Sequence, residues 1–348
     1  MRLKSVVRSL PLVACSMLPL SLAVMSHSQA KAGPYSVVDK WKIGGEGGWD
    51  YLLADPSAHL VYLTHGTRVE VVDTKTGKAV GAITELKGTH GVALDGDGKY
   101  GYISEGAGNN VVVFDRKTFA KVKSIAAGTN PDGLLFEPVT KTVWAFNGRS
   151  NDATVIDTAK MAVVATIKLS GKPEFPTADG TGMVYVNIET KNSIVKLDSK
   201  KLAVAAEWPL TGCESPSGMA IDTAGHRLFS VCDGKKMAVT DFTTGKILKL
   251  AAVGDGPDAA GYDATRKLAF SSNGDGTLSV VDASGSDYKT IQTLPTQKGA
   301  RTMAFDSSNG RIYLLAAEMA PKTAPTAENP KPRSMPVPGS YSVIVVGR

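Results

Sequence analysis

A short apolar run closed by aspartate recurs along the chain as VEVVD (ending at Asp73), VVVFD (Asp115), TVID (Asp157), IVKLD (Asp198), MAVTD (Asp241) and LSVVD (Asp282). The closing aspartates are 42, 42, 41, 43 and 41 residues apart. Upstream of each run an acidic residue opens a turn: Asp55, Asp95, Glu137, Asp179, Asp222, Asp263 and, in a seventh unit, Asp306. The seventh unit lacks the closing aspartate and ends in YSVIVVGR. Self-similarity at this period means stacked supersecondary units, each too small to bury its own apolar faces.

Each unit reads as four short strands. In the second unit, residues 91–94, 100–104, 111–114 and 122–125 are rich in β-branched and aromatic residues, and Gly, Asp, Asn and Lys fill the turns between them. No segment sustains a helical period. The expectation is an all-β, seven-bladed β-propeller with four antiparallel strands per blade. The last unit has only three strands, and residues 36–43 resemble an outermost strand. The N-terminal strand should therefore complete the C-terminal blade and close the ring, which removes the free edges. Residues 317–340, rich in Pro and Ala, interrupt the last unit between its second and third strands and read as a loop or lid.

The 348 residues carry a formal charge of +6, which would suggest anionic partners. The first thirty residues change that. Arg2, Lys4 and Arg8 precede an apolar stretch from Leu10 to Met25, followed by the small residues Ser28 and Ala30 around Gln29. This is the layout of an export signal cleaved near Ala30. Sixteen apolar-stretch residues with two prolines make a poor membrane span. The signal carries three basic residues and no acid, so residues 31–348 are close to balanced at +3. With no run of like charges, a nucleic-acid footprint is not visible. The expected protein is periplasmic or secreted, monomeric, a single propeller domain over 31–348, with no membrane span once the signal is removed.

The pattern P-x-G, apolar strand, D-G-x-x-apolar, strand, V-x-V-x-D-x-x-T resembles the YVTN-type repeats of YncE-like bacterial propellers. It is clearest in NPDGLLFEPVTKTVWAFNGRSNDATVIDTAK and SPSGMAIDTAGHRLFSVCDGKKMAVTDFTTGK, and the likeness covers about the whole of 31–348. Seven-bladed lactonase propellers are also similar. That second likeness implies a hydrolase built from His, Glu and Arg near the channel mouth, although no motif matches residue by residue.

In a propeller the loops joining strand 4 to the next strand 1 share one face with those joining strand 2 to strand 3. Five residues before each acidic marker stand Asp50, His90, Asp132, Glu174, Ser217, Asp258 and Arg301; ten residues after it stand His65, Glu105, Asn147, Glu189, Cys232, Asn273 and Ala316. Strand ends at a wet mouth are polar in any propeller, but this variety of acids, bases and amides exceeds that need. It suggests a convergent ligand pocket. His65, His90 and Glu105 form the expected set for a divalent metal. His90 or Glu105 as general base with Arg301 polarising a carbonyl forms the catalytic alternative. Arg149 and Arg301 are candidate anion clamps. Cys213 and Cys232, in one blade of an exported chain, should form a disulfide. The expected partner is a small polar molecule or another exported protein, the latter on a docking ring that binds no small ligand. Gly96–Gly101 fits G-x-G-x-x-G but sits in a hairpin with no following helix. The chain has no G-x-S-x-G, H-E-x-x-H, P-loop or haem-attachment motif.

Overall fold

The structure is a computed structural model that describes residues 33–322 and 334–348, together with residues 1, 4, 324 and 326. The chain divides into Met1–Gly33 and Pro34–Arg348, and the second unit carries all the described strands. Apart from Met1 and Lys4, the expected export signal lies outside the described residues. No helix among the described residues is long and apolar enough to cross a membrane.

Seven four-stranded antiparallel sheets make a β-propeller. Blades 1 to 6 span residues 49–83, 89–126, 131–168, 173–209, 219–252 and 257–295. Blade 7 is built from Thr302–Asp306, Arg311–Ala316 and Ser342–Gly347, with Ser36–Lys42 paired outermost against Ser342–Gly347. The N-terminal strand therefore closes the ring. Its Trp41 is buried against Tyr313, ring centroids 5.4 Å apart, and its indole N–H donates to Asp39 Oδ2 at 2.8 Å. The only described helix is the 3₁₀ turn Glu189–Lys191.

The two acidic markers repeat because each organises a turn. Asp73 Oδ1 accepts the backbone N–H groups of Lys75 and Thr76, and Asp115 does the same for Lys117 and Thr118. Glu137 receives the N–H groups of Val139 and Thr140, and Asp263 those of Thr265 and Arg266. These carboxylates take up donors that no strand ladder satisfies, which is why the sequence keeps an acid there in every hairpin.

The core is seven apolar clusters, and each lies between two adjacent blades. A large aromatic on the second strand fills each wedge where blades splay apart: Tyr62, Tyr102, Trp144, Tyr185, Phe229, Phe270 and Tyr313, all fully buried. Near the axis the blades crowd together instead. A Cβ on Gly91 would lie 2.7 Å from the Asp132 carbonyl, and one on Gly218 2.6 Å from that of Asp258. Small residues on the inner strands thus let neighbouring blades approach and gather their first residues into a tight ring.

The insertion 317–340 is not wholly a loop. Where described, its ends form a short ribbon: Met319 pairs with Pro336, Ala320 N–H donates to the Met335 carbonyl and Val337 N–H to that of Glu318, both at 2.8 Å. Residues 323, 325 and 327–333, and with them the middle of the expected lid, lie outside the described residues.

Candidate functional site: an acidic pocket on the axis

The residues five before each marker sit at the entries of the inner strands, where most blades carry a β-bulge. A bulge re-aims side chains at the end of a ladder. His90 Nδ1 lies 2.6 Å from Asp50 Oδ2 and 3.7 Å from Asp132 Oδ1, so residues from blades 1, 2 and 3 share one imidazole edge. Beyond them, Lys172 Nζ donates to Glu174 Oε1 at 2.6 Å and to Glu189 Oε2 at 2.5 Å. Arg301 Nε faces Asp258 Oδ2 at 3.3 Å, with the guanidinium half exposed. Strand-2 side chains fix the backbones of this ring: Ser104 Oγ donates to the Asp132 carbonyl at 2.6 Å, and Asn187 Nδ2 to that of Ser217 at 2.9 Å.

Two aromatic rings lie beside these acids. Tyr51 of blade 1 and Phe175 of blade 4 meet at 5.0 Å, with an interplanar angle of 62°. The carboxylates are crowded and poorly hydrated. Burial, reinforced by Asp50, pushes Asp132 up to about 7. Burial and the nearby Asp132 push Glu174 up to about 8, although Lys172 opposes the shift. Burial raises Asp258 to about 6 against the pull of Arg301. Burial disfavours the charged imidazole of His90, but the Asp50 hydrogen bond and the field of Asp132 outweigh it, so its pKa is raised. Tyr51, buried beside these acids, is pushed well above its ordinary value. The ring therefore retains protons that exposed carboxylates would have lost.

Ligand-type atoms of Asp50, His90 and Asp132 all lie within 4.8 Å of one another, and this is the only such triad among the described residues. The sequence-based set His65, His90 and Glu105 does not come together. His65 is buried with its ring stacked on Tyr341 at 3.9 Å, and burial lowers its pKa. Glu105 is also buried and accepts the Lys87 N–H at 2.9 Å. The physical reason is register: ten residues after the marker is the end of strand 2, which packs into the blade instead of facing the axis. The other members of that column are structural too. Asn147 donates to Asp152 and Thr154, and Asn273 to Thr277 and Ser279. Cys232 forms the expected disulfide with Cys213. Only Glu189 reaches the pocket, through Lys172. Arg149 is exposed on its loop, and no ion pair to it is found among the described residues.

Sequence reasoning missed Lys172, Tyr51 and Phe175. The signal for the two aromatics was present. Four residues before the marker the column reads Tyr51, Gly91, Gly133, Phe175, Gly218, Ala259 and Thr302, so two bulky rings interrupt an otherwise small set.

Fold and site together define a seven-bladed β-propeller with a cluster of acidic residues around His90 at the entries of its inner strands. Many solved structures are similar to this chain, among them two that share its fold. A hydrazine synthase chain of Kuenenia stuttgartiensis matches with a TM-score of 0.69 at 17% identity, covering 77% of this chain and 92% of that one. U3-55K matches with a TM-score of 0.74 at 11% identity, covering 89% and 99%. At such identities the likeness is one of fold alone. No protein-family model matches the chain, and no curated protein does.

Proposed function

We propose that this chain is an exported, YVTN/YncE-like propeller that binds a divalent cation on its axis. The observation that carries the reading is the triad Asp50, His90 and Asp132, one imidazole between two carboxylates from three successive blades. A mixed N/O donor set suits Zn²⁺ or a neighbouring first-row ion better than Ca²⁺, which prefers oxygen alone. Asp258 and Glu174 add further carboxylates around the triad, and the Tyr51–Phe175 ring contact lies beside it. Binding would expel the protons held by Asp132 and His90, so affinity should fall on acidification. The export half of the reading rests on the layout of residues 1–30 and agrees with the Cys213–Cys232 bond, of a kind that forms mainly in oxidising compartments.

Calorimetric titration of chelator-treated protein with Zn²⁺ tests this. One site per chain is expected, weakened at least about tenfold by Asp132→Asn and by His90→Ala. Absence of stoichiometric binding would overturn it.

A lactone hydrolase is the second reading, favoured by the 2.6 Å Asp50–His90 contact, in which a carboxylate orients an imidazole base. Glu105, engaged by the Lys87 amide, drops out as its base. Metal-independent lactone cleavage abolished by His90→Ala is the result that would favour it.

A further inference from the structure

A cavity lies beside the axial acids and shares Arg301 with them, between the loops of blades 6 and 7 and the first residues of the 317–340 insertion. It has a volume of about 1010 Å³, and its walls include Lys40, Trp49, Gln297, Lys298, Arg301 and Lys322. Among the described residues four cations thus face it, against a single lining carboxylate, Glu318. This is the reverse of the axial pocket, in a domain whose overall charge is nearly balanced. Among the described residues no ion pair is found for Lys40, Lys298 or Lys322, and Arg301 has only Asp258, at 3.3 Å. Cations gathered without counter-charge repel one another and are relieved by an anion.

The cavity is also built. Lys40 Nζ donates to Gln297 Oε1 at 3.0 Å, which ties the ring-closing N-terminal strand to the loop leaving blade 6. Trp49 is held edge-on against Tyr341 at 5.0 Å, so its indole forms a fixed wall. Lys298 and Gly299 are positioned by their loop, in which Gly299 N–H donates to the Gly274 carbonyl at 3.0 Å. The volume is at the upper end for small-molecule sites and far exceeds what an inorganic ion fills. An aromatic wall beside several ammonium groups and a guanidinium matches an organic molecule with an apolar body and more than one negative group.

We infer that this cavity binds a small organic polyanion of the di- or tricarboxylate class, with Arg301 and Lys298 as its main charge partners and Trp49 as its apolar wall. The inference does not depend on a cation at the axial triad.

Citrate, added to chelator-treated protein at low ionic strength, is the probe. Saturable one-to-one binding by calorimetry is expected, with a change in tryptophan fluorescence that Trp49→Phe removes. The double variant Lys298→Glu/Lys322→Glu should bind at least about tenfold more weakly, since two attractive charges become repulsive. Lys123→Glu, on the exposed outer strand of blade 2, should bind as the parent does, and Asp132→Asn should retain citrate binding while losing Zn²⁺. Melting curves of all variants establish that they are folded. The inference is overturned if citrate does not saturate, if the double variant binds within about twofold of the parent, if Lys123→Glu weakens binding equally, or if inorganic phosphate binds as tightly as citrate.

Discussion

Tyr51 and Phe175, contributed by blades 1 and 4, meet ring to ring at 5.0 Å. A ring of seven blades brings its first strands together, and here side chains of blades 1 and 4 touch among the axial acids. Burial is the main reason Tyr51 resists ionisation, and the neighbouring acids Asp132, Glu174, Asp50 and Asp258 add to it.

Replacing Phe175 by Ala should therefore open this contact to water. Phe175 is half-buried, so the cost is put at about 2–3 kcal/mol, below the range for a fully buried Phe. Urea unfolding measures the loss. A change under about 0.5 kcal/mol would mean that the two rings do not support each other.

The axial carboxylates should make the fold less stable as pH rises. Asp132, Glu174 and Asp258 hold protons at higher pH in the folded chain than in the unfolded one. Their contribution is fully present below pH about 4, the unfolded value, and is lost as pH climbs through about 6 to 8. His90, also raised, acts in the same direction. Asp132→Asn removes one of these charges and should stabilise the metal-free protein at pH 8 by on the order of 2 kcal/mol, with little effect at pH 4. Thermal melts at the two pH values decide it, and equal shifts at both would refute the linkage.

Glu105 separates a structural acid from a site acid. Its carboxylate accepts the amide of the exposed Lys87 in a part-buried hydrogen bond, so Glu105→Ala should cost about 0.5–1.5 kcal/mol by removing that partner. Zn²⁺ affinity should not change. If cation binding instead falls with Glu105→Ala as steeply as with His90→Ala, the triad has been drawn from the wrong residues.

The Cys213–Cys232 bond pins the loop entering blade 5 to the end of that blade's second strand, bridging residues 19 apart. Substituting both by Ser should lower stability by about 2–4 kcal/mol. Denaturation of the parent with and without reductant should show the same gap. Equal stability of the oxidised and reduced parent would count against a structural role.

Ring closure depends on Trp41, whose ring fills the space between Gly77 and Tyr313; a Cβ on Gly77 would lie 2.5 Å from it. Trp41→Ala should destabilise the chain by about 3–5 kcal/mol. Because Lys40 lies on the same strand, the substitution should also weaken citrate binding in the cleft beside blade 6, which calorimetry on the folded fraction would report. Unchanged citrate affinity would show that the cleft does not need the closed ring.

Most of the architecture could be read along the chain because it is enforced locally. The acids at Asp55, Asp95 and their counterparts are needed by the turns they cap, and the apolar runs between them alternate as strands must. Blade number, strand number, the borrowed N-terminal strand and the Cys213–Cys232 pair all follow from such local rules, applied at a fixed period. The column that begins at Asp50 and His90 was legible for the same reason. Chemistry was less legible than position. His65 and Glu105 have the residue types of a metal site, but burial at the end of strand 2 decides what they touch, and sequence spacing does not report burial. Lys172, Tyr51 and Phe175 acquire their roles only when blades 1 to 4 converge on one axis. The same holds for the cleft by Lys40 and Lys298, which lie far apart in the chain and become neighbours because the ring closes. A repeat dictates its own fold, since each unit makes the same local bonds. Which side chains meet at the centre depends on how seven units pack, and that was decided only in three dimensions.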